Sequence, residues 1–251
     1  MRLGKRENRQ TDSILADEIG RWIALRVRMA GCKGAVVGMS GGLDSSVSAI
    51  LCKRALGDKV LGLIMPCDSD PSDEEDARLV AHLFDIITET VDLGPAFDLL
   101  LSLLPADGRL PVANLKPRLR MITLYYFSNR LDYLVVGSGN KSELLTGYFT
   151  KYGDGAVDIL PLGGLLKTDV RQLAQELRVP AEIVAKPPSA GLWAGQTDEG
   201  ELGITYDRLD RALRVLESGQ SNEPDDEVLA RVREMVSRSH HKRAPIPIYE
   251  P

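Results

Sequence analysis

The sequence is short of the residues that build metal centres and disulfide frameworks. Its 251 residues include three cysteines, Cys32, Cys52 and Cys67, and three histidines, His82, His240 and His241. No two cysteines form a C-x-x-C pair and no ligand spacing joins the histidines, so neither a zinc site nor a redox dithiol is implied. The cysteines read as small buried hydrophobes. No apolar run approaches the ~20 residues of a membrane-crossing helix. The polar, charged stretch 1–10 lacks the character of a signal peptide, so a cytoplasmic protein without a membrane role is expected. The net charge of −5 argues against a general nucleic-acid surface, which a basic patch would shift upward.

With 43% hydrophobic residues, the chain is long enough to bury one α/β core and too short for a second enzyme beside it. One domain is expected: a helical segment 1–34, an α/β core 35–186, a loop 187–205, and C-terminal helices with a tail, 206–251. There is no internal repeat. Apolar residues at helical spacing predict a helix over 11–30, started by Thr11 or Asp12. Short apolar runs predict strands at 35–38, 59–66, 85–93 and 131–136, with a last short one at 158–161. Helices are predicted between them at 47–56, 76–84, 95–104 and 114–130, then at 169–177, 206–216 and 225–238, the last begun by Pro224 and Asp225. Strand, helix, strand in succession gives a parallel, right-handed βαβ unit.

The most informative stretch is Met39-Ser40-Gly41-Gly42-Leu43-Asp44-Ser45-Ser46, set between the first strand and its helix. Paired glycines let backbone pass close to a bulky anion, and the N–H groups that open the helix point at it. No lysine follows the glycines, so this is not a Walker A loop; the acid Asp44 stands there, and an acid beside phosphates implies a metal between them.

A second glycine turn, Gly137-Ser-Gly-Asn-Lys-Ser-Glu143, again joins a strand to a helix. The stretch 147–155 is aromatic, basic and rich in glycine, which suits a flat ring bearing negative charge. Two segments read as loops: Cys67 to Glu75, either a solvated connection or a lid, and Lys186 to Gly200, long enough to suggest binding. The run Tyr125-Tyr126-Phe127 cannot all face one core, because successive helical residues point ~100° apart.

The Ser-Gly-Gly-x-Asp-Ser loop resembles that of the ATP pyrophosphatases of the adenine nucleotide α-hydrolase type. This implies a three-layer, Rossmann-like α/β domain with a parallel sheet between helices. More of the chain resembles the ammonia-dependent NAD synthetases: Asn114 to Met121, Gly139 to Glu143, Gly147 to Asp154, Pro161 to Leu173, Gly195 to Glu199 and His241 to Arg243. The resemblance implies a ligase that joins ammonia to nicotinic acid adenine dinucleotide (deamido-NAD) through an acyl-adenylate, giving NAD, AMP and pyrophosphate. It also implies Mg²⁺, ATP as co-substrate, and a homodimer with the dinucleotide at the interface.

By the same resemblance, ATP would be held by Ser40, Gly41, Gly42, Asp44, Ser45, Ser46, Met65, Ser138, Lys167 and Ser189. Ser138 keeps a hydroxyl where the family carries threonine. Asp44 and Glu143 would hold the metal. Asn114, Arg118, Tyr148, Lys151, Asp158, His241 and Lys242 would hold the dinucleotide. Asp44, Lys167 and Asp154 would act in catalysis, with Asp154 handling ammonium. Another ATP pyrophosphatase, such as the synthetase subunit of an amidotransferase, and a non-catalytic adenine-nucleotide sensor are the competing readings.

Overall fold

The computed structural model describes residues 4–105, 108–193, 195–219 and 226–250, with side chains from residue 14 onward. In chain order the elements are α1 (Gly4–Met29), β1 (Gly34–Gly38), α2 (Leu43–Leu56), β2 (Val60–Ile64), α3 (Pro71–Leu83), β3 (Ile87–Thr90), α4 (Gly94–Leu103), α5 (Arg109–Ala113), α6 (Leu115–Leu131), β4 (Tyr133–Val136) and α7 (Lys141–Thr146). They continue with α8 (Lys167–Glu176), α9 (Ala181–Ala185), α10 (Asp198–Leu202), α11 (Tyr206–Ser218), α12 (Asp226–Arg238) and α13 (His240–Arg243).

The four strands form one parallel sheet in the order β3-β2-β1-β4. Ala35 pairs with Val60 on one side of β1 and with Leu134 on the other. β1 and β2 are covered on both faces, which is why they read as unbroken apolar runs rather than alternating ones. Successive residues of β1 still point to opposite faces. Ala35 and Val37 join one core with Ile23 of α1, Leu51 of α2 and Leu173 of α8; Val36 joins a second with Phe97 of α4 and Phe127 of α6. A third apolar cluster, containing Tyr206, Leu209, Leu213 and Val232, holds α11 and α12 together. The three-layer arrangement is the expected one. Among the described residues no helix is long and apolar enough to cross a membrane.

Several boundaries differ from expectation for identifiable reasons. α1 begins at Gly4, so Thr11 and Asp12 lie within it rather than at its start. α3 begins at Pro71 instead of Asp76, because the Asp70 side chain accepts a hydrogen bond from Ser72 N–H at 2.9 Å and Pro71 occupies the first helical position. The loop after β2 therefore shrinks to 65–70. α8 begins at Lys167 instead of Asp169, because the Asp169 carboxylate turns back to accept from Leu166 N–H at 3.1 Å. The short strand expected at 158–161 is a single bridge between Val136 and Ile159. Within the segment read as loop, Asp198–Leu202 forms a helical turn capped by Thr197. The helix start expected at Pro224 and Asp225 lies outside the described residues. Of the aromatic run, Phe127 is buried, Tyr126 is exposed, and the Tyr125 hydroxyl donates to Asp158 at 3.0 Å.

Candidate active site

Strand order reverses at β1: the chain runs outward through β2 and β3 on one side, then returns to place β4 on the other. Open parallel sheets bind ligands outside the carboxyl ends of their strands at such a switch point. A cleft of about 940 Å³ opens there, lined by the loops after β1, β2 and β4 and by the segment from Lys186 to Asp198. That volume accommodates a nucleotide rather than a lone anion.

The loop after β1 is tightly braced. The Ser40 and Ser45 hydroxyls lie 2.9 Å apart, the Ser45 hydroxyl donates to Gly42 C=O at 3.0 Å, and the Ser46 hydroxyl donates to the same carbonyl at 2.7 Å. Gly42 caps α2 without any side-chain acceptor, which leaves the positive end of the helix open to an anion. Gly41 has φ +75°, and a Cβ there would come within 2.2 Å of the Asp73 carbonyl, so the loop and the first turn of α3 touch backbone to backbone.

Lys167, only 4% exposed, reaches into the floor of the cleft. Its ammonium is ion-paired with the Asp44 carboxylate and lies 3.6 Å from Glu143 Oε1. Burial alone would lower the Lys167 pKa, but the two carboxylates more than offset it and hold the ammonium above its usual range. Burial, reinforced by the Asp44 charge, pushes the Glu143 carboxyl up to about 8. Glu143 is oriented by a reciprocal cap: its carboxylate accepts from Asn140 N–H at 3.1 Å while the Asn140 side chain accepts from Glu143 N–H at 3.0 Å.

Two buried acids outside these loops complete the floor. Asp210 of α11, fully buried, accepts from the Ser142 hydroxyl at 2.5 Å and from Thr168 N–H at 2.8 Å, so it fixes the starts of both α7 and α8. Asp198 accepts from the Tyr206 hydroxyl at 3.0 Å, and the Tyr206 ring lies beneath the Lys167 ammonium at 5.3 Å. Burial raises the Asp198 pKa, while Lys167 opposes the rise. Neither Asp210 nor Tyr206 was given a role from the sequence. One signal was present for Asp210: it lies on the apolar stripe of α11 formed with Tyr206 and Leu213.

Most residues proposed from the sequence line this one cleft: Ser40, Gly42, Asp44, Ser45, Met65, Ser138, Glu143, Lys167, Ser189, Asn114, Arg118, Tyr148, Lys151, Asp154 and Lys242. Their wall is cross-linked. The Thr150 hydroxyl donates to Asn114 Oδ1 at 2.7 Å, Arg118 donates to Lys151 C=O at 3.3 Å, Thr150 N–H donates to Asp154 at 2.9 Å, and Tyr148 donates to Glu201 at 2.6 Å. Lys242 donates to the carbonyls of Gly147 and Phe149. Four residues do not line the cleft. Gly41 packs on α3, and the Ser46 hydroxyl is turned onto its own helix. Asp158 accepts from Tyr125 and from Val135 N–H, and His241 is exposed, with its carbonyl accepting from Lys151 at 2.9 Å.

The segment over the cleft is tied at both ends. Lys186 donates to Asp73 and to Asp76 of α3, each at 2.7 Å, and Asp198 N–H donates to Pro188 C=O at 2.9 Å.

Two carboxylates converge on one buried cation, and among the described residues no group of three or more His, Cys, Asp or Glu is gathered as a metal cage. That donor set fits Mg²⁺, which is commonly held by one or two carboxylates with substrate phosphates completing its shell.

Comparison with known proteins places the chain in a family. The NAD synthase family model matches residues 15–246. An NH(3)-dependent NAD(+) synthetase of Finegoldia magna is 46% identical over 91% of this chain and 92% of its own. Among solved structures, an NMN synthetase from Francisella tularensis superposes with a TM-score of 0.87 at 35% identity, covering 95% of this chain and 98% of that one. An NH3-dependent NAD synthetase from Campylobacter jejuni, in complex with nitrate, gives 0.84 at 28% identity, covering 95% and 99%. On the match along nearly its whole length and on the fold it shares with them, this chain belongs to the NAD synthase family.

Proposed function

We propose that this protein is an ammonia-dependent NAD synthetase, which converts deamido-NAD, ATP and ammonia to NAD, AMP and pyrophosphate. The observation that carries the reading is the joining, in one cleft, of a phosphate-type loop with Asp44, Glu143 and Lys167 to an aromatic and basic wall from 147 to 154. The relatives named NH(3)-dependent NAD(+) synthetases support it.

The chemistry requires two steps. A free carboxylate repels nucleophiles and has only oxide to expel. Attack of the nicotinate carboxylate on the α-phosphorus of ATP expels pyrophosphate and leaves an acyl-adenylate, from which AMP departs when ammonia adds to the carbonyl carbon. In this reading the N–H groups at the start of α2 and the Ser40 and Ser45 hydroxyls hold the departing pyrophosphate. Lys167 supplies a fixed positive charge where negative charge develops, and Asp154 accepts a proton from ammonium so that its lone pair is free. Asp44 and Glu143 hold Mg²⁺, whose charge offsets that of the phosphates.

A second copy of the chain is proposed to cover the apolar residues that α4, α5 and α6 leave in solvent, among them Leu99, Leu103, Leu110, Ile122 and Tyr126. The dinucleotide then lies near that interface. A cytoplasmic location is part of the same proposal.

One observation favours a second acceptor. The superposing NMN synthetase makes a mononucleotide amide on the same fold, so nicotinic acid mononucleotide is the alternative substrate. The test is product analysis with ATP, Mg²⁺ and ammonium, offering deamido-NAD, nicotinic acid mononucleotide or XMP, with glutamine replacing ammonium in a parallel series. NAD formed efficiently only from the dinucleotide and ammonium is expected. NMN formed at higher kcat/KM selects the second reading, and GMP or an absence of pyrophosphate refutes both.

A further inference from the structure

Asp198 is 3% exposed and lines the cleft, yet only one of its carboxylate oxygens is accounted for. Oδ2 accepts from Tyr206; Oδ1 is, among the described residues, a buried side-chain oxygen without a hydrogen-bond partner, because the neighbouring Tyr148 hydroxyl donates to Glu201 at 2.6 Å instead. A buried acceptor left without a donor is costly, and its retention points to a donor that reaches it in another state of the protein.

With Tyr148 committed to Glu201, the cation whose charge reaches Asp198 is Lys167. The Lys167 ammonium lies over the ring of Tyr206, the same residue whose hydroxyl holds Asp198, and it is presently paired with Asp44 and near Glu143. These two carboxylates are also the pair that fits a divalent cation. An ammonium and a divalent cation cannot share them, because like charges at contact distance in a buried site repel strongly. The lysine stem is flexible and carries three rotatable donors, and its backbone is fixed independently through Lys167 N–H to the Ser142 hydroxyl at 3.0 Å. The head group is thus free to turn across the aromatic face while the helix stays still.

We infer that Lys167 and Asp198 form a cation-exchange pair: the ammonium holds the place of the metal between Asp44 and Glu143, and moves to Asp198 Oδ1 when the divalent cation binds. This rests on the reading of Asp44 and Glu143 as metal ligands. Asp198 is then a positioning residue for Lys167. Because Asp198 N–H is bonded to Pro188, the second acceptor is in place only while the segment over the cleft is.

The test reads metal affinity rather than turnover. Mn²⁺ binding to the dialysed protein is measured by electron paramagnetic resonance for wild type, Asp198→Asn, Lys167→Met and the double variant, with thermal melts to verify folding. Asp198→Asn is expected to weaken Mn²⁺ binding about tenfold by stranding Lys167 on Asp44, and Lys167→Met to tighten it. In the Lys167→Met background Asp198→Asn should change affinity less than twofold. Equal effects in both backgrounds, or none in either, overturn the exchange. If Asp198→Asn fails to fold, Asp198→Ser is read the same way. Asp44→Asn serves as the control. If it leaves Mn²⁺ binding intact, the metal reading falls and the exchange with it; if it abolishes binding while Asp198→Asn has no effect, the exchange alone falls.

Discussion

Gly41→Ala offers the most direct test of how the phosphate-type loop is built. At φ +75° an alanine costs roughly 1–2 kcal/mol in backbone strain. Its Cβ would also sit 2.2 Å from the Asp73 carbonyl and 3.0 Å from Asp76 Cβ, and neither is the far end of a flexible side chain. Overpacking of that kind costs roughly 1–3 kcal/mol. A domain of this size loses roughly 2–4 °C of Tm per kcal/mol, so the two effects together predict a fall on the order of 10 °C. Gly31→Ala isolates the first effect, since Gly31 has φ +70° with nothing among the described residues within 4 Å of the added methyl; its expected fall is about half as large. Gly41→Ala should also displace the start of α3, whose first two turns carry Asp73 and Asp76, the acids that hold Lys186, and raise the KM for ATP about tenfold, equivalent to ~1.4 kcal/mol. Calorimetry and steady-state kinetics measure both. If Gly41→Ala melts no lower than Gly31→Ala and its KM is unchanged, the contact between loop and helix is not what shapes the site.

Two further outcomes follow from the electrostatics and from the assignment of Asp154. The carboxyl of Glu143, raised from 4.5 to about 8 by burial and then by Asp44, keeps its proton at neutral pH in the metal-free protein, so metal binding must release it. Apparent Mn²⁺ affinity should therefore climb by up to about a decade per pH unit below pH 8 and level off above it, and Glu143→Gln should abolish the slope. By the same sign, metal-free stability present at acid pH is lost as pH rises through the folded value, which melts across that range would record. Asp154→Asn should raise the KM for ammonium at least tenfold while that for ATP changes less than twofold; equal shifts in both would remove Asp154 from ammonium handling.

What was readable in the chain, and what was not, follows from the range of the interactions. β1, β2 and β4 announce themselves because strands covered on both faces must be apolar throughout. β3 was harder to bound: Ile87, Glu89 and Thr90 are exposed at the sheet edge, so burial imposes little pattern on it. Asp44 was legible because its chemistry is local, a loop whose glycines and acid adjoin in sequence. Lys167 and Glu143 took on meaning only through resemblance, since the ion pairs of Lys167 with Asp44 and with Glu143 join residues far apart in the chain. Asp198 belongs to a segment whose composition suggests a loop, and Tyr206 opens a helix whose apolar stripe suggests only packing; nothing in their spacing reveals that both turn inward to meet Lys167. The short helices α5, α9 and α10 are each a single turn or little more, too brief for a periodic signal.

The two sides of the cleft are held by different kinds of force. Asp44 and Glu143 stand in the first turns of the helices that follow two adjacent parallel strands, so both are anchored to the sheet through short braced loops. The covering segment is held instead by Lys186 between two acids and by one backbone contact at Pro188, ties that single substitutions can remove or redraw. The side that carries Asp44 and Glu143 is therefore the more firmly anchored half of the cleft and the covering side the more adjustable one. Substitutions in the covering segment can therefore alter what the cleft admits while Asp44, Glu143 and Lys167 stay where they are.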